Sequence, residues 1–186
     1  YDDNYFTRSG FNSNRNQDIN FYSSFLNQRS FYSGQLEGDH QLSIAKMKFR
    51  WNAGYSLVTR KQPDLRRQQY VKPSGSSIYE MDPDDTRRFW SDLQDQTVTA
   101  SAALTIPYNM FGEKQNFKVG GSTIVRFRDF KSRIFRYVET SQANFNSDLA
   151  ALPFDQIFHK ENISQPGFKV EDFTNNQDKY FGISAI

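Results

Sequence analysis

From residue 47 to residue 57 every second side chain is apolar or aromatic: Met47, Phe49, Trp51, Ala53, Tyr55 and Leu57. Lys48, Arg50, Asn52, Gly54 and Ser56 stand between them. Alternation with period two over such a length describes a strand with one apolar and one wet side, and no helical spacing fits it. Strands of soluble domains run to about five or six residues, whereas a tilted strand crossing a bilayer needs about nine to eleven. The length of the run therefore points to a membrane wall.

The preceding residues supply a partner. Tyr32, Leu36, Leu42 and Ile44 are apolar at even positions, and Ser33, Gln35, Glu37, Asp39, Gln41 and Ser43 fill the odd ones. Folding back across Ala45 and Lys46 as an antiparallel hairpin sets Ile44 opposite Met47, Leu42 opposite Phe49, His40 opposite Trp51 and Leu36 opposite Tyr55. Asp39 then lies opposite Asn52 and diagonal to Arg50. One register sorts both strands into an apolar and a polar side, as a lipid-covered or buried surface demands. Ala-Lys is poor chemistry for a two-residue turn, so a four-residue turn is the better expectation.

A second hairpin repeats the pattern. Val98, Ala100, Ala102, Leu104 and Ile106 alternate with Thr97, Thr99, Ser101 and Thr105, and Pro107 is expected to end the run. The return strand carries Phe117, Val119, Val125 and Phe127 on one side and Lys118, Ser122, Arg126 and Arg128 on the other. Matching Ile106 to Phe117 pairs Leu104 with Val119 and Val98 with Val125.

The chain is accordingly expected to be all-β, an antiparallel meander with strands near 32–44, 47–58, 96–107, 116–137 and 179–186. Residues 1–31 read as a loop, 32–58 as a hairpin, 59–95 as a long outer loop with a short helix over 85–93, 96–137 as a hairpin, 138–178 as a second outer loop with a helical turn near 148–151, and 179–186 as the start of another strand. Short turns at one end and long loops at the other are the asymmetry of outer-membrane barrels. Phe49, Trp51, Tyr55, Leu104, Val119 and Val125 are then expected to face lipid, and Lys48, Arg50, Thr99, Ser101, Arg126 and Arg128 the lumen. An open sheet edge in lipid leaves backbone groups unpaired, so this number of strands is expected to be one piece of a larger barrel.

Composition narrows the alternatives. The chain has 186 residues, of which 37% are hydrophobic and 16% aromatic. Its mean hydropathy is -0.78, and this pairing of low hydropathy with many rings suits alternating strands rather than a disordered chain. A net charge of +2 supplies no field for nucleic acid. The absence of cysteine excludes disulfides and thiolate metal sites. No apolar run reaches the about eighteen residues of a helical span.

Three stretches carry a family resemblance: the run from Gln62 through Pro63, Asp64, Leu65 and Arg66 to Arg67; the segment 85–93, DTRRFWSDL; and Lys118-Val-Gly-Gly followed by Arg128-Asp-Phe-Lys-Ser-Arg. From about Tyr32 onward the chain resembles the barrel of TonB-dependent outer-membrane receptors, most of all those with a carboxypeptidase-regulatory-like domain before the plug. The resemblance implies a barrel of about twenty-two strands in the outer membrane of a Gram-negative cell, filled by a plug and driven by the TonB complex to import a scarce nutrient such as a ferric chelate or a glycan. It implies outer-membrane lipid and a nutrient ligand as partners, no nucleic acid and no cofactor. The plug domain and the TonB contact would belong to parts of the receptor outside this chain.

Within that expectation Arg66, Arg67, Arg87, Arg88 and Trp90 are the candidate ligand-binding residues. Arginine gives two-pronged contacts to carboxylate or phosphate, and tryptophan stacks on planar or sugar rings. Trp90 reads equally as a packing anchor. Glu80, Asp82, Asp84 and Asp85 are weak metal candidates, because their spacing lacks a calcium-loop pattern and favours turn and capping duty. Arg126, Arg128, Lys131, Arg133 and Arg136 interleave with Phe127, Phe130, Phe135 and Tyr137, which fits a wet-sided strand better than a nucleic-acid surface. His40 and His159 stand apart from any nucleophile, so no enzyme activity is expected. The competing reading is a soluble all-β binding module, carbohydrate-specific through its Tyr and Trp residues, in which a second sheet would cover Met47, Phe49, Trp51 and Tyr55.

Overall fold

The computed structural model describes residues 1–140, 145–153, 155–164 and 166–186. The chain is all-β and antiparallel. Its strands are β1 (Asp2–Asn12), β2 (Gln17–Gln41), β3 (Lys48–Pro73), β4 (Glu80–Met81), β5 (Arg87–Met110), β6 (Glu113–Glu139) and β7 (Phe168–Ala185). They form one sheet in the order β1-β2-β3-β5-β6-β7, with the short β4 paired to β3. This meander is the expected one, but β1 and β7 are free edges, so the sheet is open and the twenty-two-stranded barrel is not formed by these residues. No helix among the described residues is long and apolar enough to cross a membrane.

Both hairpin turns are built by residues in the left-handed region. In the first, Leu42 N–H donates to the Met47 carbonyl at 2.8 Å and residues 43–46 form the turn, with Ala45 and Lys46 at φ 54° and 53°. The four-residue turn is thus present, and it brings Leu42 to Met47 rather than to Phe49. A shift of two residues preserves the parity of every side chain, so the sorting into two sides survives it. Asp39 consequently pairs with Arg50 directly, at 2.9 Å. In the second hairpin Phe111 and Gly112, at φ 53° and 85°, make the two-residue turn between Met110 and Glu113. That turn sets Ile106 opposite Phe117, as the alternation predicts.

Pro107 does not end β5, which continues to Met110. The Asn52–Ser101 contact at 3.5 Å and the approach of Thr99 to Gly54 fix how β3 meets β5. Continued, this register brings Lys48, the first residue of β3, level with Thr105. Pro107 lies past the end of β3, where no neighbour on that side asks for its missing N–H.

β2, β3 and β5 are far longer than expected, at 25, 26 and 24 residues, whereas β6, expected over 116–137, spans Glu113–Glu139. Residues 1–31 are not a loop: β1 pairs with the start of β2 from Asp2↔Asn27 to Asn12↔Gln17. The 59–95 loop shrinks to residues 74–86, and the helix expected over 85–93 is strand. The 138–178 loop begins after Glu139 and ends at Phe168; its turn at Ser147–Ala151 is a 3-10 helix, and its residues 141–144, 154 and 165 lie outside those described. The physical reason is shared. Where both sides of a strand are wet, polar cross-strand pairs replace the apolar stripe, and period-two hydrophobicity disappears while the backbone ladder continues. Lys61–Asp92, Gln62–Ser91, Arg133–Asp172 and Arg136–Glu171 are such pairs.

The chain gathers into two compact units. The first comprises Tyr1–Gln28, Arg60–Asp92 and Lys131–Gln177; the second comprises Arg29–Thr59, Leu93–Phe130 and Asp178–Ile186. Every buried apolar side chain among the described residues belongs to the first: Tyr70, Met81, Tyr137, Ala150, Ile157 and Phe168. Phe158 and Phe145 pack on this cluster through ring contacts with Phe168 at 5.7 and 5.1 Å.

The second unit has paired strands and no such cluster. Its cross-strand contacts nevertheless assign a side to each residue. Arg50–Asp39, Asn52–Ser101 and Arg126–Asp95 define the polar side. Trp51–His40 and the Phe127–Phe181 ring contact at 5.1 Å define the other. Extended along each strand, the second side carries Tyr32 and Leu36, then Phe49, Trp51 and Tyr55, then Val98 and Leu104, then Val119 and Val125, and finally Phe181 and Ile183. It is mostly apolar across all five strand segments.

Candidate ligand-binding site

In the first unit β3 changes phase. Gln62 bonds to Ser91, so even residues of β3 share a side with odd residues of β5 at that level. Two residues later Asp64 grips Arg88 through two hydrogen bonds of 2.6 Å, even to even. One extra residue has been absorbed at Pro63-Asp64, and Asp64 stands at φ 61°. Such a bulge re-aims the side chains that follow it, here Arg66, Gln68 and Tyr70.

Asp64 is the hub of the result. Its carboxylate also accepts from Arg66 Nε at 2.8 Å, and Arg88 Nη1 reaches the Tyr137 hydroxyl at 3.4 Å. Burial pushes the Asp64 carboxyl up, but the hydrogen bonds and charges of Arg88 and Arg66 outweigh it and hold the group below its ordinary value. Burial raises the Tyr137 phenol, and Asp64 raises the Arg88 guanidinium. At neutral pH the cluster is a fixed carboxylate holding two fixed guanidinium groups.

This cluster forms one wall of a cavity of about 370 Å³. Arg66, Gln68, Arg87 and Arg88 come from the strands, Tyr137 from β6, and Asp155, Phe158 and His159 from the loop that follows. Phe158 lies flat on Tyr137, with centroids 3.6 Å apart and planes at 15°, so the floor is aromatic. Arg87 is held differently from its neighbours: its Nε and Nη2 donate to the Asp84 carbonyl at 3.2 and 2.9 Å, and among the described residues no carboxylate pairs with it.

Of the five candidate binding residues, the structure brings Arg66, Arg87 and Arg88 together in this cavity. Arg67 lies elsewhere, 5.4 Å over the ring of Phe21, because adjacent strand residues point to opposite sides. Trp90 packs edge-on against Phe135 at 5.0 Å with Arg88 above its ring at 4.7 Å, which is the packing role. Lys48, Arg50, Arg126 and Arg128 occupy positions of the polar side of the second unit, where Arg50 and Arg126 are paired to Asp39 and Asp95.

The acidic run does turn and pairing work. Asp82 accepts from Arg15 at 3.2 Å, from Gln69 at 3.4 Å and from the Asp84 N–H at 3.0 Å, and Asp85 accepts from Gln69 at 2.9 Å. Glu80 sits in β4 opposite Val71. Among the described residues no group of three or more His, Cys, Asp or Glu is arranged to hold a metal.

Sequence reasoning missed Asp64, Gln68, Tyr137, Asp155, Phe158 and His159 as parts of one site. The only local signal was Pro63 followed by Asp64 inside an otherwise regular strand, a pattern that marks a bulge. No family model, curated protein or solved structure matches this chain.

Proposed function

We propose that this chain is a stretch of the wall of an outer-membrane receptor barrel of the TonB-dependent kind, of about twenty-two strands, which binds a scarce nutrient and imports it across the outer membrane of a Gram-negative cell. In this reading residues near 32–42, 47–57, 98–106, 117–127 and 181–185 cross the bilayer, with their apolar side on lipid and Lys48, Arg50, Arg126 and Arg128 on a polar lumen. The first unit, with Asp64 and the cavity, stands outside the crossing segments. Energy coupling to the TonB complex belongs to the plug, and no catalytic role is part of the proposal.

One observation carries it: the apolar side of the second unit is uncovered. Tyr55 is 46% exposed, Val119 52% and Phe181 58%. Water-soluble monomers rarely leave contiguous apolar patches larger than a few hundred Å², whereas a bilayer is the solvent that such a side requires. A soluble sandwich would need a second sheet over Phe49, Trp51 and Tyr55, and the described strands form a single sheet.

The two tryptophans make the test direct. The chain, reconstituted in liposomes as single-tryptophan variants Trp90→Phe and Trp51→Phe, is probed with lipids brominated along their tails. Trp51 is expected to be strongly quenched and Trp90 not. A chain that stays monomeric in water without detergent, with Trp51 quenched by aqueous iodide instead, would replace this reading with the soluble binding module.

A further inference from the structure

We infer that the cavity floored by Tyr137 and Phe158 is a binding site for a hydroxylated carboxylate of sugar-acid size. The inference deepens the receptor reading by naming a ligand class, but it stands on the first unit alone.

Donors and acceptors in the cavity are of two kinds, and each is incompletely used. Arg66 spends Nε and Nη2 on Asp64, and Arg87 spends Nε and Nη2 on the Asp84 carbonyl. The Nη1 group of each has no partner among the described residues. Both residues line the cavity with guanidinium groups that are already anchored, Arg87 also lying 5.1 Å over the Phe173 ring, and an anchored guanidinium binds carboxylate with little loss of side-chain freedom. Three guanidinium groups against Asp64 and Asp155 leave the cavity net positive.

Gln68 provides the second, independent observation. The residue is only 5% exposed, lines the cavity, and its Oε1 is buried without a hydrogen-bond partner among the described residues. A buried amide oxygen left unpaired is costly, and native proteins seldom tolerate it without a reason. As an acceptor it calls for a donor, which a simple carboxylate does not offer at neutral pH. A ligand hydroxyl does, and Asp155 at the rim accepts a further one. The aromatic floor suits the apolar C–H face of a pyranose ring. A cavity of about 370 Å³ lies within the range of about 300–1,000 Å³ typical of small-molecule sites.

The test is calorimetric titration of the full chain in detergent with D-glucuronate, D-glucose and inorganic phosphate, using the unaltered protein, Arg87→Gln and Gln68→Leu. Glucuronate is expected to bind saturably and glucose at least tenfold more weakly. Arg87→Gln should weaken glucuronate about tenfold, the effect of losing one charged hydrogen bond. Gln68→Leu should weaken glucuronate several-fold. Circular dichroism confirms the fold of each variant, and should Arg87→Gln misfold, Arg87→Lys replaces it, keeping the charge but losing the fork. Equal binding of glucose, or phosphate binding as tightly as glucuronate with Gln68→Leu silent, would overturn the inference, as would no binding of glucuronate. Because the assay needs no bilayer, failure here with Trp51 still in lipid removes only the ligand class, and binding here with Trp51 in water removes only the barrel.

Discussion

Phe168 and Ile157 in the first unit are 1% and 0% exposed, whereas Val119 and Phe181 in the second are about half exposed, although both units are made of segments of the same strands. The first unit is held as a soluble domain is held. Loop residues return over the strands, Tyr70 donates its hydroxyl to the Leu152 carbonyl at 2.9 Å, and rings close on one another around Phe168. The second unit is held by backbone ladders and by pairs on its polar side, and no layer of the described residues buries its apolar side. Identical secondary structure thus has two settings: one unit covers its own apolar side chains, and the other leaves its apolar side exposed. That difference explains why mean hydropathy is low while one side of five strand segments is mostly apolar.

The contrast is sharpest at Phe168. Phe168→Ala should cost about 3–5 kcal/mol, the usual toll for emptying a ring from a packed core. Hydrogen exchange should show lost protection in the first unit, near Tyr70 and Tyr137, with the second unit's ladders unchanged. Loss of protection spread evenly over both units would break the distinction between them.

Next in size is a charge on the uncovered side. Val119→Arg should destabilise the chain in lipid by about 2–4 kcal/mol, while the same residue change in water should cost little, because the site is already half exposed there. Folding titrations from urea with and without liposomes measure both. Equal effects in the two solvents would show that this side is not a lipid surface.

The Asp64 hub should make the first unit acid-sensitive. Its carboxyl is held below the ordinary value in the folded chain, so its stabilising contribution is complete above the unfolded value of 3.8 and is lost as pH falls through the folded one. Asp64→Asn should remove that acid dependence and cost about 1–3 kcal/mol at neutral pH by leaving Arg66 and Arg88 without their anion. Melting temperatures followed from pH 7 down to pH 2 in both proteins check the sign. An unchanged acid profile would assign the sensitivity to other carboxylates.

The smallest effect belongs to the second unit's polar side. Arg50→Ala removes an ion pair whose partners are more than half exposed, and should cost less than about 1 kcal/mol, an amount that added salt abolishes. A larger loss, insensitive to salt, would mean that Arg50 is enclosed, as in a narrow lumen.

Much of the second unit was legible in the chain itself. Alternation at 47–57 and 98–106 fixes strand type and side, because a period of two has one structural meaning wherever one side is dry. The four-residue first turn followed from the poor turn chemistry of Ala45 and Lys46. The extensions of β2, β3 and β5 were not legible, since Lys61 and Gln62 find partners across strands and leave no periodic trace, whereas β6 is expected to reach 137 and ends at Glu139. Pro107 and the segment 85–93 misled for a related reason: a proline stops a strand only where a neighbour needs its N–H, and capping acids start a helix only where no ladder competes.

The site divides in the same way. Arginines at 66, 87 and 88 announce themselves by type, and local chemistry alone makes them candidates for an anion. Which of them share a cavity depends on a one-residue bulge at Asp64 and on the loop after β6 folding back to lay Phe158 on Tyr137. Sequence by itself therefore determined the all-β class, the antiparallel order and the two-sided character of the second unit, because these follow from the stereochemistry of neighbouring residues. Only the tertiary structure decided the core around Phe168, the gathering of Arg66, Arg87 and Arg88 at one cavity and the unpaired oxygen of Gln68. These depend on contacts between distant segments, for which neighbouring residues carry no signal.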